Sequence, residues 1–311
     1  MKRKKLLGTK MEQINVLVST YNGEKYIEEQ LKSIDCQTYS NVHVYVRDDG
    51  STDHTVELVN RYIRENELSD KYTVATGENI GFSKSFHLLM QMADSGEYWA
   101  FCDQDDVWDE DKLSVAVTSL ESIDTDIPSL YYCGQRLVDG NLKFLSDHTL
   151  NEERNLRTRF ILSDIAGCTA VFNKALLYKI LEYKPNYMLM HDTWSLKVCL
   201  ALGGKVIIDT KSHMSYRQHG NNAVGLGKGM KANLRQVRQY ISKYKVEEQM
   251  IELKRGYGEQ IIPEYRKIVY DVCHYKKNWK CRRRLLNRSN IDFCNKGLNL
   301  TYFIKVMLNK L

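Results

Sequence analysis

Asp103 and Asp105 stand one residue apart just beyond the apolar run YWAFC. In extended backbone, side chains two residues apart point to the same side. Two carboxylates held so close repel each other unless a cation sits between them. Their oxygens suit Mg²⁺ or Mn²⁺, ions that keep open positions for phosphate oxygens. The structural alternative is an acidic first turn that complements the dipole of a following helix, and Asp109, Glu110 and Asp111 fit it. Asp103, Asp105 and Asp106 come earlier and point to function.

These aspartates need a scaffold, and the first 120 or so residues supply four β-α units. Ile14–Ser19 reads as a buried strand, followed by a helix over 26–34 with Ile27, Leu31 and Ile34 at helical spacing. The pairs continue as a strand over 42–46 with a helix over 56–63, 72–75 with 82–92, and 98–102 with 112–120. Such alternation predicts an α/β fold, a mostly parallel Rossmann-like sheet with helices on both faces. In an open parallel sheet, ligands bind at the carboxyl ends of the strands. The polar clusters fall there in register: STYNGE, RDDGSTD, GENIGF and DQDDVWDED. Further along, a strand is expected near 130–133 and an irregular stretch over 139–159. Helices follow over 174–182 and 192–202, with strands over 205–208 and 212–217.

The chain has 311 residues, 43% apolar and 27% charged, enough for one large domain or one domain with an appendage. Disordered, collagenous and coiled-coil classes are excluded, and 3 prolines against 20 tyrosines exclude a Pro-rich linker. The net charge of +6 hides an asymmetry. Residues 228–311 hold 20 Lys+Arg against 7 Asp+Glu, a net of +13, whereas 1–227 carry a net of −7. An acidic body, 1–227, is thus followed by a basic α-helical extension, 228–311. The basic start MKRKKLLGTK lacks the apolar core of a secretory signal, and no stretch approaches the ~20 apolar residues of a membrane span. The eight cysteines show no zinc or Cys-x-x-Cys spacing, which points to reduced, buried thiols and a cytoplasmic protein.

Neither GxGxxG nor GxxxxGK[ST] is present, which disfavours Rossmann dehydrogenases and P-loop kinases. The glycine-rich GLGKG at 225–229 follows no strand-to-helix junction and reads as a mobile loop. A diphosphate would therefore be held by metal and side chains.

The ordered series VSTYNGEKYI, VRDDGSTDHT, NIGFSKSF and CDQDDVW resembles glycosyltransferase family 2, over about 14–225. The resemblance implies a GT-A fold and a nucleotide-sugar donor. By position, it implies that Ser19, Thr20, Tyr21 and Asn22 line the nucleoside with Glu24 beside them. Asp48 would pair with the base, and Asn79 and Lys84 would complete that side. Asp103 and Asp105 resemble the family's D-x-D, with Asp105 the main ligand of a divalent Mg²⁺ or Mn²⁺ and Asp103 near ribose and metal. MHDTW resembles the segment carrying the general base of inverting members, here Asp192; the alternative for a residue at a helix start is an N-cap. YRQHGNN resembles the late motif that closes on the diphosphate, with His219 as a metal or phosphate ligand and Arg217 stabilising the leaving group. GCTAVF, at 167–172, resembles the acceptor-side wall. The Gln-x-x-Arg-Trp motif of processive relatives is missing, which favours single-sugar transfer. The motif wording is similar to the bacterial rhamnosyltransferase branch. That implies rhamnose from dTDP-rhamnose, or another hexose from a UDP-sugar, moved to a cell-wall, capsular or other surface-polysaccharide acceptor, a glycan or lipid-linked saccharide.

Two rival readings remain. DQDDV also fits the D-x-D-x-[VT] of aspartyl-phosphate phosphatases, with Asp103 as nucleophile and Asp105 as acid, although that motif normally follows the first strand of its domain. The basic tail is the second. Its aromatics (Tyr240, Tyr244, Tyr257, Tyr265, Tyr270, Tyr275, Trp279) recur at helical spacings, as core residues do, so no nucleic-acid partner is expected. KCRRRLL and LTYFIKVML instead point to basic helices lying peripherally on the anionic inner face of the cell membrane. A solvated helical face or a homo-oligomer contact is the alternative.

Overall fold

The computed structural model describes residues 11–219 and 244–311. The expected β-α units form: β1 (Ile14–Thr20), α1 (Ile27–Asp35), β2 (Val42–Asp48), α2 (Thr55–Glu65), β3 (Tyr72–Thr76), α3 (Phe82–Met92) and β4 (Tyr98–Cys102). Their strands pair in parallel in the order β3-β2-β1-β4. The centre of β1, Val16–Val18, is an unbroken apolar run because it is covered on both faces. Val16 and Val18 join one core with Ile27 and Leu31 of α1 and Val59 of α2. Leu17 joins the opposite core with Phe86 and Leu89 of α3.

Beyond β4 come β5 (Val107–Trp108), α4 (Lys112–Leu120), β6 (Ser129–Val138), β7 (Phe144–His148), α5 (Leu156–Ile161), β8 (Val171–Asn173), α6 (Lys174–Leu181), α7 (His191–Ala201) and β9 (Lys205–Arg217). β8 inserts antiparallel between β4 and β6. β9 runs parallel to β6, and β5 runs antiparallel to β9. Three expectations are corrected here. The stretch over 139–159 is not irregular throughout, because it contains β7 and the start of α5. The strand near 130–133 extends to ten residues. The strands over 205–208 and 212–217 are one strand whose register shifts opposite Cys133, Gly134 and Arg136. Gly134 permits that shift, since a Cβ there would lie 2.7 Å from the Thr210 carbonyl oxygen.

The C-terminal helices are α8 (Val246–Tyr257), α9 (Pro263–His274), α10 (Trp279–Leu286) and α11 (Lys296–Met307). Met250, Leu253, Tyr265 and Val272 enter the same core as Phe86 of α3 and Trp194 of α7. The extension therefore completes the cover of one sheet face. Tyr244, Tyr257, Tyr265 and Tyr275 are buried, whereas Tyr270 and Trp279 are exposed. The boundary at 227/228, the GLGKG segment, Tyr240 and the basic start lie outside the described residues. Among the described residues, no helix is long and apolar enough to cross a membrane.

Candidate active site

A cavity of about 580 Å³ opens at the carboxyl ends of β1, β2 and β4. Ser19, Thr20, Tyr21, Asn79, Gln104, Asp103 and Asp105 line it, together with Ala166, Gly167, Cys168, His191, Asp192 and Tyr216. Residues from six separate sequence motifs thus meet in one space. The GCTAVF segment contributes to its wall through Gly167 and Cys168.

The loops after the first three strands are locked together. Ser19 Oγ donates to Ser85 Oγ (2.7 Å), and the buried Arg47 donates to the same Ser85 oxygen (3.0 Å) and to Asp49 (2.5 Å). Asp49 also accepts the N–H groups of Ile80 (3.0 Å) and Gly81 (2.9 Å) at the start of α3. Gln104 ties the first loop to the aspartates, accepting the Tyr21 N–H (2.8 Å) and donating to the Tyr21 carbonyl (3.0 Å). Gly23 makes room for that amide, because a Cβ there would collide with it.

Asp48, expected to pair with the base, is not among the residues lining the cavity. Its buried carboxylate turns into the second loop, accepting from Thr20 Oγ1 (2.9 Å) and the Ser51 N–H (2.8 Å) and hydroxyl (2.5 Å). Asp49, the next residue, lines the cavity instead. Asn22 and Glu24 are likewise engaged away from it: Asn22 accepts the Thr52 N–H (2.8 Å) and Glu24 the His54 N–H (3.0 Å). Lys84 is exposed on the first turn of α3, outside the cavity wall.

The aspartates occupy two neighbouring settings. Oxygens of Asp103 and Asp106 and the Cys168 sulfur lie within 4.8 Å of one another. Asp105 instead meets His219, Oδ2 to Nε2 at 2.7 Å, and the His219 ring stacks on Tyr26. Burial, then the charges of Asp105 and Asp192, push the Asp103 carboxyl up to about 7. Burial and the neighbouring Asp105 and Asp103 raise Asp106 well above the usual range. Asp106 Oδ1 accepts the Arg217 N–H (3.0 Å), while its buried Oδ2 has no hydrogen-bond partner among the described residues. Burial and the adjacent Asp106 and Asp103 raise the Cys168 thiol, which stays protonated. Crowded carboxyl groups in a desolvated site, one with an orphaned oxygen, fit a hard divalent cation among Asp103, Asp105 and Asp106, with His219 behind Asp105.

Arg217 does not line the cavity. Its buried guanidinium donates to the carbonyls of Asp105 (2.8 Å) and Gly140 (2.7 Å), pairs with Glu29, and lies 4.3 Å over the Tyr26 ring. It braces the Asp105 backbone against the β6–β7 hairpin, where the sequence pattern implied a contact with the leaving group.

Asp192 sits in the first turn of α7, not at its cap, which is Met190. Burial pushes its carboxyl up to about 6, while hydrogen bonds from the N–H groups of Thr193 (2.5 Å) and Gly167 act in the opposite direction. His191 beside it stacks on Phe86 with ring centroids 3.9 Å apart, and burial pushes its pKa down to about 3. Sequence reasoning missed Asp49, Gln104 and His191, while Cys168 falls within the GCTAVF segment expected at the acceptor-side wall. The DD doublet and the DQD spacing are signals for the first two; nothing local marks His191.

The geometry defines a class: an α/β sheet with a cavity at the carboxyl ends of its strands, lined by a cluster of carboxyl groups and a further buried aspartate. The pattern described as glycosyl transferase family 2 matches residues 15–181, more than half of the chain. The chain belongs to glycosyl transferase family 2 and is a nucleotide-sugar-dependent glycosyltransferase. It is 28% identical to the dTDP-rhamnosyl transferase RfbG of Shigella flexneri over 236 residues, 71% of this chain and 78% of that protein. It is 25% identical to a glycosyltransferase of Nostoc sp., over 67% of this chain and 66% of that one, just under two thirds of its length. In fold it is similar to Staphylococcus aureus TarS 1–349 in complex with UDP-GlcNAc (TM-score 0.58, 19% identity, 94% of this chain and 81% of that). It is also similar to the Pyrobaculum calidifontis mannosyltransferase PcManGT with GDP-Man and Mn²⁺ (TM-score 0.59, 18% identity, 97% and 88%). Family membership sets the phosphatase reading aside.

Proposed function

We propose that the protein is a non-processive, inverting glycosyltransferase that moves one sugar, rhamnose from dTDP-rhamnose, to a glycan of a cell-wall, capsular or other surface polysaccharide. A hexose from a UDP-sugar is the second donor reading, favoured by the fold it shares with a UDP-GlcNAc-bound structure. The observation that carries the proposal is the shared cavity, which joins the donor-side loops and Asp103–Asp105 to a buried carboxylate, Asp192, with its pKa at about 6. A base is most effective with a pKa close to the working pH. Asp192 takes the proton of an acceptor hydroxyl as that oxygen bonds to the anomeric carbon, and the bond from that carbon to the nucleoside diphosphate breaks on the opposite face. Ser19, Thr20, Tyr21, Asp49 and Asn79 hold the nucleoside, and Gln104 keeps their loop in register with the aspartates. When bound, Mg²⁺ or Mn²⁺ would supply charge neutralisation for the departing diphosphate. Phe82, Ile165, Ala166 and Met190 give the cavity an apolar side suited to the methyl group of a 6-deoxy sugar. The similarity to a dTDP-rhamnosyl transferase supports the same donor. The acceptor is a lipid-linked saccharide presented at the inner face of the cell membrane.

A donor screen by nucleotide release, with and without Mn²⁺ or Mg²⁺, tests the reading. Release from dTDP-rhamnose above other donors is expected, with NMR showing inverted anomeric configuration in the product. Retained configuration would refute the mechanism, and release from a different sugar would refute the donor.

A further inference from the structure

The last helix carries two apolar faces, and among the described residues only one of them is buried. On α11, Tyr302 and Val306 enter the core, while Leu300, Phe303, Ile304, Met307 and the adjoining Leu308 stand between 40% and 60% exposed. Their spacing, i, i+3, i+4, i+7 and i+8, makes one continuous helical stripe. An ordinary surface helix keeps that side polar, so a stripe of large apolar side chains marks a contact surface.

Its surroundings are strongly basic. Between Tyr275 and Leu311 there are ten Lys or Arg residues and a single acidic one, Asp292. The end of α11 folds back on the junction of α9 and α10: Tyr275 Oη accepts the Leu311 N–H (3.0 Å), and Arg282 contacts the Asn309 side chain. That junction presents Lys277, Trp279, Lys280 and Arg283, all exposed. Trp279 is of the amphipathic type that favours an apolar–aqueous boundary.

We propose that α11 and the α9–α10 junction form a docking surface for an anionic lipid bilayer, with the Leu300–Leu308 stripe entering the headgroup–acyl boundary and the basic side chains meeting lipid phosphates. A second copy of the chain is a poorer occupant, because a two-fold interface would set two cationic patches against each other. A nucleic acid would satisfy the charges but leave the apolar stripe in water. The surface gives a physical basis to the membrane location proposed above, and vesicle binding reads it without turnover.

The test is flotation of the full chain with vesicles of phosphatidylcholine containing about one-third phosphatidylglycerol. Wild type should float with them and much less with pure phosphatidylcholine. Phe303→Ser with Ile304→Ser should weaken partitioning at least about tenfold at any salt. Lys280→Gln with Arg283→Gln should weaken it about tenfold at low salt, a difference that vanishes near 1 M salt, where the screening length falls to about 3 Å. All four positions are exposed, and unchanged circular dichroism confirms folding. Failure of wild type to float with anionic vesicles overturns the proposal. So does undiminished binding by the Phe303/Ile304 variant, or a wild-type dimer that this variant converts to monomer without vesicle binding.

Discussion

Replacing Asp192 by asparagine keeps the shape of the side chain and removes its charge, and the structure says what each should change. The carboxyl is buried and its pKa is raised from 3.8 to about 6, chiefly by burial. That rise means that the ionised form costs roughly 3 kcal/mol in the folded state. The folded protein holds the Asp192 proton more tightly than the unfolded chain does, so this cost is absent below pH ~4 and complete above pH ~6. Opposing it is the charge's favourable position in the first turn of α7, about 0.3–1 kcal/mol. The Asp192→Asn variant should therefore be as stable as wild type or more so at pH 7.5, by up to about 2 kcal/mol. At roughly 2 cal/mol/K of unfolding entropy per residue that is about 3 °C in melting temperature. The gain should shrink to nothing near pH 4. Turnover should nonetheless fall by about 10²–10⁴, the usual contribution of a general base, with donor affinity unchanged. In wild type, kcat should drop about tenfold per pH unit below ~6 as Asp192 protonates. Thermal melts, donor titration and initial rates from pH 5 to 8 measure all of this. Near wild-type turnover would refute the assignment of the base. A melting temperature lowered by several degrees would instead show that the carboxylate serves the fold.

Asp103, pushed up to about 7 by burial and then by Asp105 and Asp192, would bind a proton in competition with a cation at the proposed site. Thermal stabilisation by Mn²⁺ or Mg²⁺ should be larger at pH 8 than at pH 6, with affinity falling up to tenfold per pH unit below ~7 and the effect lost in Asp105→Ala. Stabilisation that ignores pH, or that survives in this variant, would exclude the site. Arg217→Lys should lose two charge-assisted hydrogen bonds, to the Asp105 and Gly140 carbonyls, together about 3–5 kcal/mol, or roughly 5–8 °C in melting temperature. An unchanged melting temperature with a large rise in donor KM would restore Arg217 to the leaving group.

Much of the donor side was legible in the chain because it is local. Apolar period and turn chemistry mark where each of the first four strands ends, and in a parallel sheet those ends lie together. The polar loops after β1 to β4 could therefore be assigned to one face before any coordinates. The spacing of Asp103 and Asp105, the helical pattern of α3 and α4, and the charge split between body and tail are likewise properties of near neighbours.

Other features depend on partners far away in the chain. Asp48 and Asp49 are indistinguishable by type, and only the packing of α3 against β2 decides that Asp49 faces the cavity while Asp48 closes its own loop. Arg217 carries the same charge whether it meets a diphosphate or two carbonyls; the β6–β7 hairpin and Glu29 claim it. Cys168 reads as an ordinary buried thiol until β8 inserts beside β4 and sets it against Asp103 and Asp106. The last helix is apolar on both sides in sequence, and tertiary structure alone buries Tyr302 and Val306 and leaves the Leu300–Leu308 stripe to solvent. Periodicity states that a face is apolar, but what that face meets is settled by long-range packing, where burial, charge and shape compete over the whole fold.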